Sequence, residues 1–505
     1  MFRVDPRQAA VDHIESGGSQ RSGGLSPLAE EIASRPVESG YSHTVLSGIA
    51  QIIEAGLLAL TGIGIFLWYL PLSEALFYVP LIAGSVLLAN VSFNMARTHR
   101  IVAYRSIFKQ TFRVMIGWSA VFLVLMTGLF LFKAGDMVSR VWLLSWFAAG
   151  GVALIAFRLI WRALVLKWSK DGRLKRRTVI VGGGPSAASL IEAIESGANN
   201  DIKLIGLFDD RVGERSPDVV AGLHKLGKVA DLVEFSRRAK IDLVIVSMPL
   251  SAEARVLEML RQLWVLPVDI RLSAHMSKLR FTDKTYSYVG DLPVFDMADR
   301  PISDWNRVFK WVFDKVVAIF ALIVLSPIMI ATAIAIKLTS KGPVLFRQKR
   351  HGFNNELIEI YKFRSMYIDM SDTKASKLVT RDDPRVTPVG RFIRKTSIDE
   401  LPQLFNVLKG ELSIVGPRPH ALEAKAANTL YHEAVDGYFA RHKVKPGITG
   451  WAQVHGWRGE TDTIEKIMQR VDHDLYYIEN WSIFLDLYIL AMTPVSLFTK
   501  AENAF

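Results

Sequence analysis

Four apolar runs in the first third of the chain commit it to a membrane. They lie near residues 45–70, 75–95, 114–132 and 141–165. Each is close to the ~20 residues that an α-helix needs to cross a bilayer. Four such runs argue against a water-soluble bundle of buried helices and define a four-helix transmembrane region over residues 43–168. Basic residues fall unevenly between them. The first connection, Pro71-Leu72-Ser73, has none, and the second carries Arg97, Arg100, Arg105, Lys109 and Arg113. The third has only Lys133 and Arg140, and Arg162, Lys167, Lys170, Arg173, Lys175, Arg176 and Arg177 follow the fourth run. The positive-inside rule then puts the N-terminus, the second connection and everything beyond the fourth span in the cytoplasm.

The remainder is soluble in character. The chain has 505 residues, 50% of them hydrophobic and 22% charged, with a mean hydropathy of +0.23. That combination fits membrane segments joined to soluble domains. The net charge of +12 suits anionic lipid or phosphorylated substrates. There is no cysteine, which excludes disulfides, thiolate metal sites and a cysteine nucleophile. Residues 1–42 are polar and rich in Ser, Gly and Pro, lack the apolar core of a signal peptide, and are expected to be disordered.

After the spans, RTVIVGGGPSAASLIEAI (177–194) leads a β-branched run into a glycine turn and then a helical pattern. This fits a strand–turn–helix unit of a doubly wound domain. Gly182 and Gly184 would shape the turn, and further strands are expected at 203–209 and 242–248. Asp209 ends its strand near where a ribose-binding acid would sit. The alternative is a domain whose glycines only let strand and helix pack closely.

A fifth apolar run covers 316–336, with Ser326-Pro327 at its centre. Proline there removes a helix hydrogen bond and bends the chain. Arg307, Lys310 and Lys315 precede the run, and Lys337, Lys341, Arg347, Lys349 and Arg350 follow it. A bent helix that enters and returns to one face keeps both basic clusters inside. A straight fifth span with a kink is the alternative, since membrane helices tolerate Pro.

Beyond it, Lys362 and Arg364 lie two apart on an expected strand, so both should point to one face. Arg381, Arg385, Arg391, Arg394 and Lys395 then build up before the acidic pair Asp399-Glu400. Arginine holds phosphate through paired hydrogen bonds. Leu401, Leu404, Phe405 and Leu408 have helical spacing, Gly410 fits a helix end, and Pro402 fits a first turn. A helix starting near Asp399 would make that residue an N-cap and Glu400 a partner of the helix dipole. The same pair could work on phosphate: one carboxylate as a nucleophile, its neighbour holding Mg²⁺.

KFRSM, RFIRKTSIDELPQLFNVLKGELSIVGPRPH, KPGITGWAQVHGWRGE and DLYYIENWSIFLDLYIL together resemble the bacterial polyprenyl-phosphate sugar-1-phosphate transferases. The whole layout resembles the long form, the undecaprenyl-phosphate glucose or galactose phosphotransferases. The resemblance implies a membrane α-helical N-terminal bundle and a Rossmann-like α/β middle domain, similar to CoA- and NAD-binding domains, over 169–300. It also implies a mainly α, monotopic catalytic domain over 301–505, with a re-entrant helix at 316–336 broken at Ser326-Pro327. The implied reaction takes a UDP-sugar and undecaprenyl phosphate to a lipid-linked diphosphate sugar and UMP, starting an exopolysaccharide or capsule. Asp399 would attack the β-phosphate and form a covalent phosphosugar. Glu400, with Asp399, would bind Mg²⁺, and Lys362, Arg364, Arg391, Arg394 and Arg418 would hold phosphates or nucleotide. Pro446-Gly447-Ile448-Thr449-Gly450 would border the site.

The implied setting is a bacterial inner membrane, with catalysis on its cytoplasmic face. A homodimer through the middle domain or the spans is an open expectation, and no nucleic-acid partner is expected. Tyr476, Tyr477, Trp481, Phe484, Leu485, Tyr488 and Ile489 are expected along the bilayer interface. His442 and His455 read as ordinary polar residues. Two rivals remain. A membrane-anchored nucleotide-sugar dehydratase or epimerase would need a Tyr-x-x-x-Lys pair, which the C-terminal half lacks. A nucleotide-sensing scaffold would leave Asp399 only a capping role.

Overall fold

The structure, a computed structural model, describes residues 25–35, 40–96, 98–99, 107–196, 201–211, 213, 216–248, 253–273, 287–289, 292–368, 383–420, 425–426, 429–431, 435, 438–457 and 463–499. Arg97, Arg100, Arg105 and Arg381, and residues 1–24 and 36–39 of the N-terminal segment, lie outside them. The rest of that segment departs from the expected disorder. Ser26 caps a short helix, α1 (Pro27–Ser34), through a bond from the Ala29 N–H. Leu25, Ala29 and Ala33 are buried among Leu226, Phe235 and their neighbours in the middle domain. Its small apolar face finds a core that local composition does not announce.

Helices α2 (His43–Tyr69), α3 (Ala75–Met95), α4 (Ile107–Leu131) and α5 (Arg140–Lys170) are the four spans. With the later helix at Asp304–Thr339 they make five, among the described residues, long and apolar enough to cross a bilayer. The chain is a membrane protein. Outward side chains such as Leu60, Leu76, Phe130 and Leu144 stay apolar and exposed, as lipid requires. Inside, Trp118, Trp142 and Trp146 are fully buried. Each indole N–H donates to a helix carbonyl: Phe147 O at 3.0 Å, Gly62 O at 3.1 Å and Leu58 O at 3.0 Å. An apolar interior offers no water, so these donors must find partners within the bundle. Gly62 has no room for a Cβ, which would meet Trp146 at 2.8 Å.

A charged cluster is buried in the same bundle. Arg158 of α5 binds Glu54 of α2 through Nε at 2.6 Å and Nη2 at 2.8 Å. His99 Nε2 lies 2.8 Å from the same carboxylate, and Arg158 Nη1 and Gln110 Nε2 both donate to the Thr98 carbonyl. The connection after α3 is therefore tucked inward at Thr98-His99.

The middle domain is an α/β sheet. Its strands are β1 (Arg176–Val181), β2 (Ile202–Phe208), β3 (Val219–Val220), β4 (Leu223–Gly227), β5 (Leu243–Val246), β6 (Asp269–Ser273), β7 (Ser287–Val289) and β8 (Leu292–Ala298). Their spatial order is β3-β4-β2-β1-β5-β6-β8-β7. The pairs β2–β4, β1–β5 and β5–β6 are parallel, and β6–β8 is antiparallel. Helices α6 (Pro185–Ser196), α7 (Val229–Arg238) and α8 (Glu253–Leu263) cover it. Val179, Val181, Val244 and Val246 pack on the side of α7 and α8, and Ile180, Leu243 and Ile245 on the side of α6. Burial on both faces explains why these strands read as continuous apolar runs.

The C-terminal region begins with α9 (Asp304–Thr339), continuous through Pro327. Proline cannot donate to the Ile323 carbonyl four residues back; the Ser326 hydroxyl does so instead, at 2.8 Å. Strands β9 (Leu345–His351) and β10 (Leu357–Phe363) form an antiparallel hairpin. Then come α10 (Pro388–Lys395), α11 (Gln403–Lys409), β11 (Ser413–Val415), β12 (Gly447–Thr449), α12 (Trp451–Val454), α13 (Ile464–Glu479) and α14 (Ile483–Thr499).

Both ends of α9 are bonded to this one domain. Near its start, Lys310 reaches Asp486 at 2.7 Å and Val415 O at 2.9 Å, and Lys315 donates to Val407 O at 3.0 Å. At its end, Arg364 donates to the carbonyls of Ser340 at 2.9 Å and Lys341 at 2.6 Å. Tyr477 and Ile489, expected at the bilayer interface, are instead in the core, where the Tyr477 hydroxyl donates to Asp486 at 2.8 Å. Trp481 donates to the same carboxylate. Tyr476, Phe484 and Tyr488 are exposed as expected.

Candidate active site

The acidic pair is presented by a turn between two helices. Thr387 caps α10 by accepting from the Gly390 N–H at 2.8 Å, and Pro388 follows in the first turn. The helix ends in Arg394 and Lys395, and Ser397 then takes a left-handed φ of 59°. That residue reverses the chain into a single 3-10 turn, Ile398–Glu400. Ile398 and Leu401 pack against Met329, Phe363 and Ile393, which anchors the turn. Helix α11 starts only at Gln403, after Pro402. The capping reading of Asp399 therefore fails. The acid sits in a separate turn before the helix, and among the described residues nothing donates a hydrogen bond to its carboxylate.

Glu400 is held by two cations. Lys362 Nζ lies 2.9 Å from Oε1, Arg418 Nη1 lies 3.1 Å from Oε2, and Arg418 Nη2 also donates to Oε1. Burial alone would raise the Glu400 carboxyl; Arg418 and Lys362 outweigh it and hold it well below the usual carboxylate range. Asp399 goes the other way. Desolvation, opposed by Lys362 and reinforced by the Glu400 charge, pushes it up to about 6. Two adjacent carboxylates with divergent proton affinities are a signature of functional sites.

Arg418 is delivered by a backbone seam. Strands β11 and β12 pair in parallel, with Ser413 opposite Gly447 and Val415 opposite Thr449. Just beyond, Gly416 N donates to Thr449 O and Gly447 N to Pro417 O, both at 2.9 Å. The loop expected to border the site is thus a strand that fixes Pro417-Arg418-Pro419. A Cβ on Gly416 would meet Lys445 O at 2.5 Å, and one on Gly447 would overlap the Gly416 nitrogen. Gly447→Ala is expected to displace Arg418 and reduce turnover about a hundredfold, in line with the cost of ångström-scale misplacement. Turnover measured on protein with wild-type circular dichroism checks this.

The other expected residues divide. Arg394 is close enough to help hold the Asp399 charge, whereas Arg391 is exposed on α10. Arg364 does not share a face with Lys362 at the acidic pair. Strand β10 ends at Phe363, so the alternation stops and Arg364 turns to the end of α9. Arg350 was not among the expected site residues. It donates to the Pro419 carbonyl at 2.7 Å and lies near Arg418. Gln348 and Arg350 share one face of β9, a period-2 signal hidden in a uniformly basic run. His442, which reads as an ordinary polar residue in the sequence, is buried against Asn355, and the His455 ring packs at a tilt on Trp451.

In the middle domain, Gly182 and Gly184 have φ of 97° and 82°, which favours glycine. Asp209 is already engaged, accepting from Gly183 N at 2.7 Å and from Arg211 Nη2 at 2.9 Å. Arg211, two residues on, reaches back to the carboxylate that a ribose would use.

Among the described residues, no group of three or more His, Cys, Asp or Glu gathers as a protein-only metal cage. The bare Asp399 carboxylate beside Glu400 does fit Mg²⁺, which takes one or two carboxylates when substrate phosphates supply further ligands.

The family of bacterial sugar transferases matches residues 305–500, and a CoA-binding domain family matches 96–274. The chain is 38% identical over 381 residues to the UDP-glucose:undecaprenyl-phosphate glucose-1-phosphate transferase of Klebsiella pneumoniae, covering 75% of this chain and 80% of that protein. It is 39% identical over 360 residues to the protein of that name in Escherichia coli, covering 71% and 75%. It is also 46% identical over 198 residues to the exopolysaccharide production protein PSS of Rhizobium leguminosarum, covering 39% of this chain and 99% of that one.

Proposed function

The chain belongs to the bacterial sugar transferase family, and from that membership we propose that it transfers glucose 1-phosphate from UDP-glucose to undecaprenyl phosphate, releasing UMP. The product would start an exopolysaccharide or capsule repeat unit. The observation that carries the chemistry is Asp399, an unbonded carboxylate set among Lys362, Arg394 and Arg418.

A carboxylate oxygen of Asp399 forms a bond to the β-phosphorus of UDP-glucose. The bond from that phosphorus to the bridging oxygen breaks, and UMP leaves with the electron pair. A phosphate oxygen of the lipid then attacks the same phosphorus and displaces Asp399, restoring the free carboxylate. Lys362 and Arg418 face the oxygens where charge develops, which is where fixed cations accelerate such transfers. Asp399 and Glu400 would hold Mg²⁺, which when bound would neutralise diphosphate charge.

The attacking carboxylate must be ionised. With its proton leaving near pH 6, kcat/KM for UMP release should be level above about pH 6 and fall about tenfold per unit below it. Single-turnover release of labelled UMP without lipid checks this, because UDP-glucose itself does not titrate in that range. An acid limb near 4 would show that the carboxyl keeps its ordinary proton affinity, leaving the Asp399→Asn variant to decide the role.

The site belongs at the cytoplasmic headgroup level of the inner membrane, where a soluble donor meets a lipid phosphate. The two bonded ends of α9 support a re-entrant course. A straight helix of 36 residues would run ~54 Å, well beyond a ~30 Å hydrocarbon core. Crossing would also put Lys315 and Ser340 on opposite sides while both bond one domain. The exposed Phe320, Ile323 and Val324 before Pro327, and Ile330 and Ile334 after it, would then lie in a single leaflet. The test of the reaction is UMP release by purified protein in nanodiscs with Mg²⁺, undecaprenyl phosphate and a panel of UDP-sugars. Release from UDP-glucose alone supports the reading; silence with every donor overturns it.

A further inference from the structure

The reaction just proposed makes no use of a second charged pair deep in the same domain. Arg441 lies in the 3-10 turn Tyr438–Lys443 and Asp474 on α13. They form an ion pair with side-chain exposures of 0% and 2%. A buried pair of this kind is weak support for stability, because desolvation offsets most of the attraction. Its geometry suggests another use. Arg441 Nη2 donates to the backbone carbonyl of Arg418 at 2.7 Å, and Nη1 reaches the His420 ring. His420 is itself 2.8 Å from the Tyr438 hydroxyl. Burial, and then Arg441, Arg470 and Arg350, hold His420 well below its ordinary range, so the ring stays neutral and can accept. The peptide of Arg418 is thus gripped from behind by Arg441, while its side chain grips Glu400 in front.

We infer that Arg441, locked in place by Asp474, is a positioning residue that sets Arg418 against Glu400 for the transfer step. It touches neither substrate nor reacting atoms. Lysine at 441 keeps the charge opposite Asp474 but lacks the planar fork that reaches two acceptors at once. The reaction assumed here is the one proposed above, so one readout of the test is independent of activity.

Full-length protein in nanodiscs, as wild type, Arg441→Lys and Asp474→Asn, is assayed in two ways. The first is modification of individual arginines by phenylglyoxal, followed by mass spectrometry. The second is UMP release at pH 7.5, with turnover and KM for UDP-glucose measured separately. Ile467→Val, a cavity variant on the same face of α13, controls for loss of packing. Freed of its grip, Arg418 should be modified at least about fivefold faster in both charge variants, while exposed Arg391 is unchanged. Turnover should fall about ten- to a hundredfold, the range typical of outer-shell partners, with KM for UDP-glucose little altered. Unchanged Arg418 reactivity in a folded charge variant overturns the inference, and so does an increase equalled by the control. If the wild type releases UMP from no donor, the proposed reaction falls, while Arg418 reactivity still decides the positioning role. Asp474→Asn is nearly isosteric and keeps the test open should Arg441→Lys fail to fold.

Discussion

Asp399→Asn should lose UMP release by about 10⁴-fold or more and melt at a higher temperature than the wild type. The first effect follows from the proposed covalent step: a carboxamide cannot form the acyl phosphate, and loss of a nucleophile is among the largest single-residue effects in catalysis. The second follows from the site. Asp399 is pushed up to about 6 from the 3.8 of a free aspartate, so folding disfavours its charged form. Above about pH 6 the folded protein carries that cost, on the order of 2–3 kcal/mol if the whole shift is counted. Lowering the pH from 6 towards 4 removes it as the group protonates. Asn is neutral throughout, so its advantage should be full near pH 7.5 and vanish by about pH 4. No hydrogen bond to the carboxylate is forfeited among the described residues. Thermal melts of both proteins at the two pH values, alongside UMP release, make the measurement. Retained turnover would remove Asp399 as the nucleophile, and a destabilised variant would show that the carboxylate supports the fold.

Arg158→Leu should be the most damaging change in the membrane bundle. It removes the guanidinium from the buried Glu54 carboxyl and leaves His99 Nε2, at 2.8 Å, as the partner that remains. Breaking one side of a buried pair typically costs about 3–5 kcal/mol. Most of that comes from the buried carboxyl left without its partner, so Glu54→Gln together with Arg158→Leu should recover much of the loss. Tryptophan fluorescence suits the experiment, because Trp118, Trp142 and Trp146 line the same interior. Additive losses in the double variant would refute coupling between the two residues.

The spans, the parallel strands and the acidic pair could be read from the sequence because each announces itself locally, through an apolar run, a β-branched run or adjacent charges. Strand β5 falls within the expected 242–248, and β2 starts within one residue of the expected 203. What escaped was long-range. Glu54 and Arg158 are 104 positions apart, and nothing in either span's composition pairs them. Arg441 meets Arg418 from a turn whose own sequence reads as an ordinary basic stretch. Arg364 was misplaced because a strand's alternation holds only as far as the strand, and one ending two residues later would have kept it beside Lys362. The capping reading failed for a related reason. Pro402 is compatible with a first turn, but it also permits a break before the helix, and Ser397 at positive φ commits the chain to the break.

No graded variation is open to Gly416, Gly447 and Gly450. A leucine can be trimmed one methylene at a time, but there is no residue between glycine and a first Cβ. At Gly416 and Gly447 that carbon would collide with backbone of the opposite segment, and at Gly450 with the Gly416 carbonyl. The fitness landscape along this line should be a cliff. A library randomised at the three positions should return glycine among its active members, whereas one at exposed Arg391 or Phe392 should return many residues. Changes of donor preference would then have to arise in side chains around the nucleotide sugar. The backbone line that presents Arg418 would stay fixed, a chassis on which specificity can drift without dismantling the reaction.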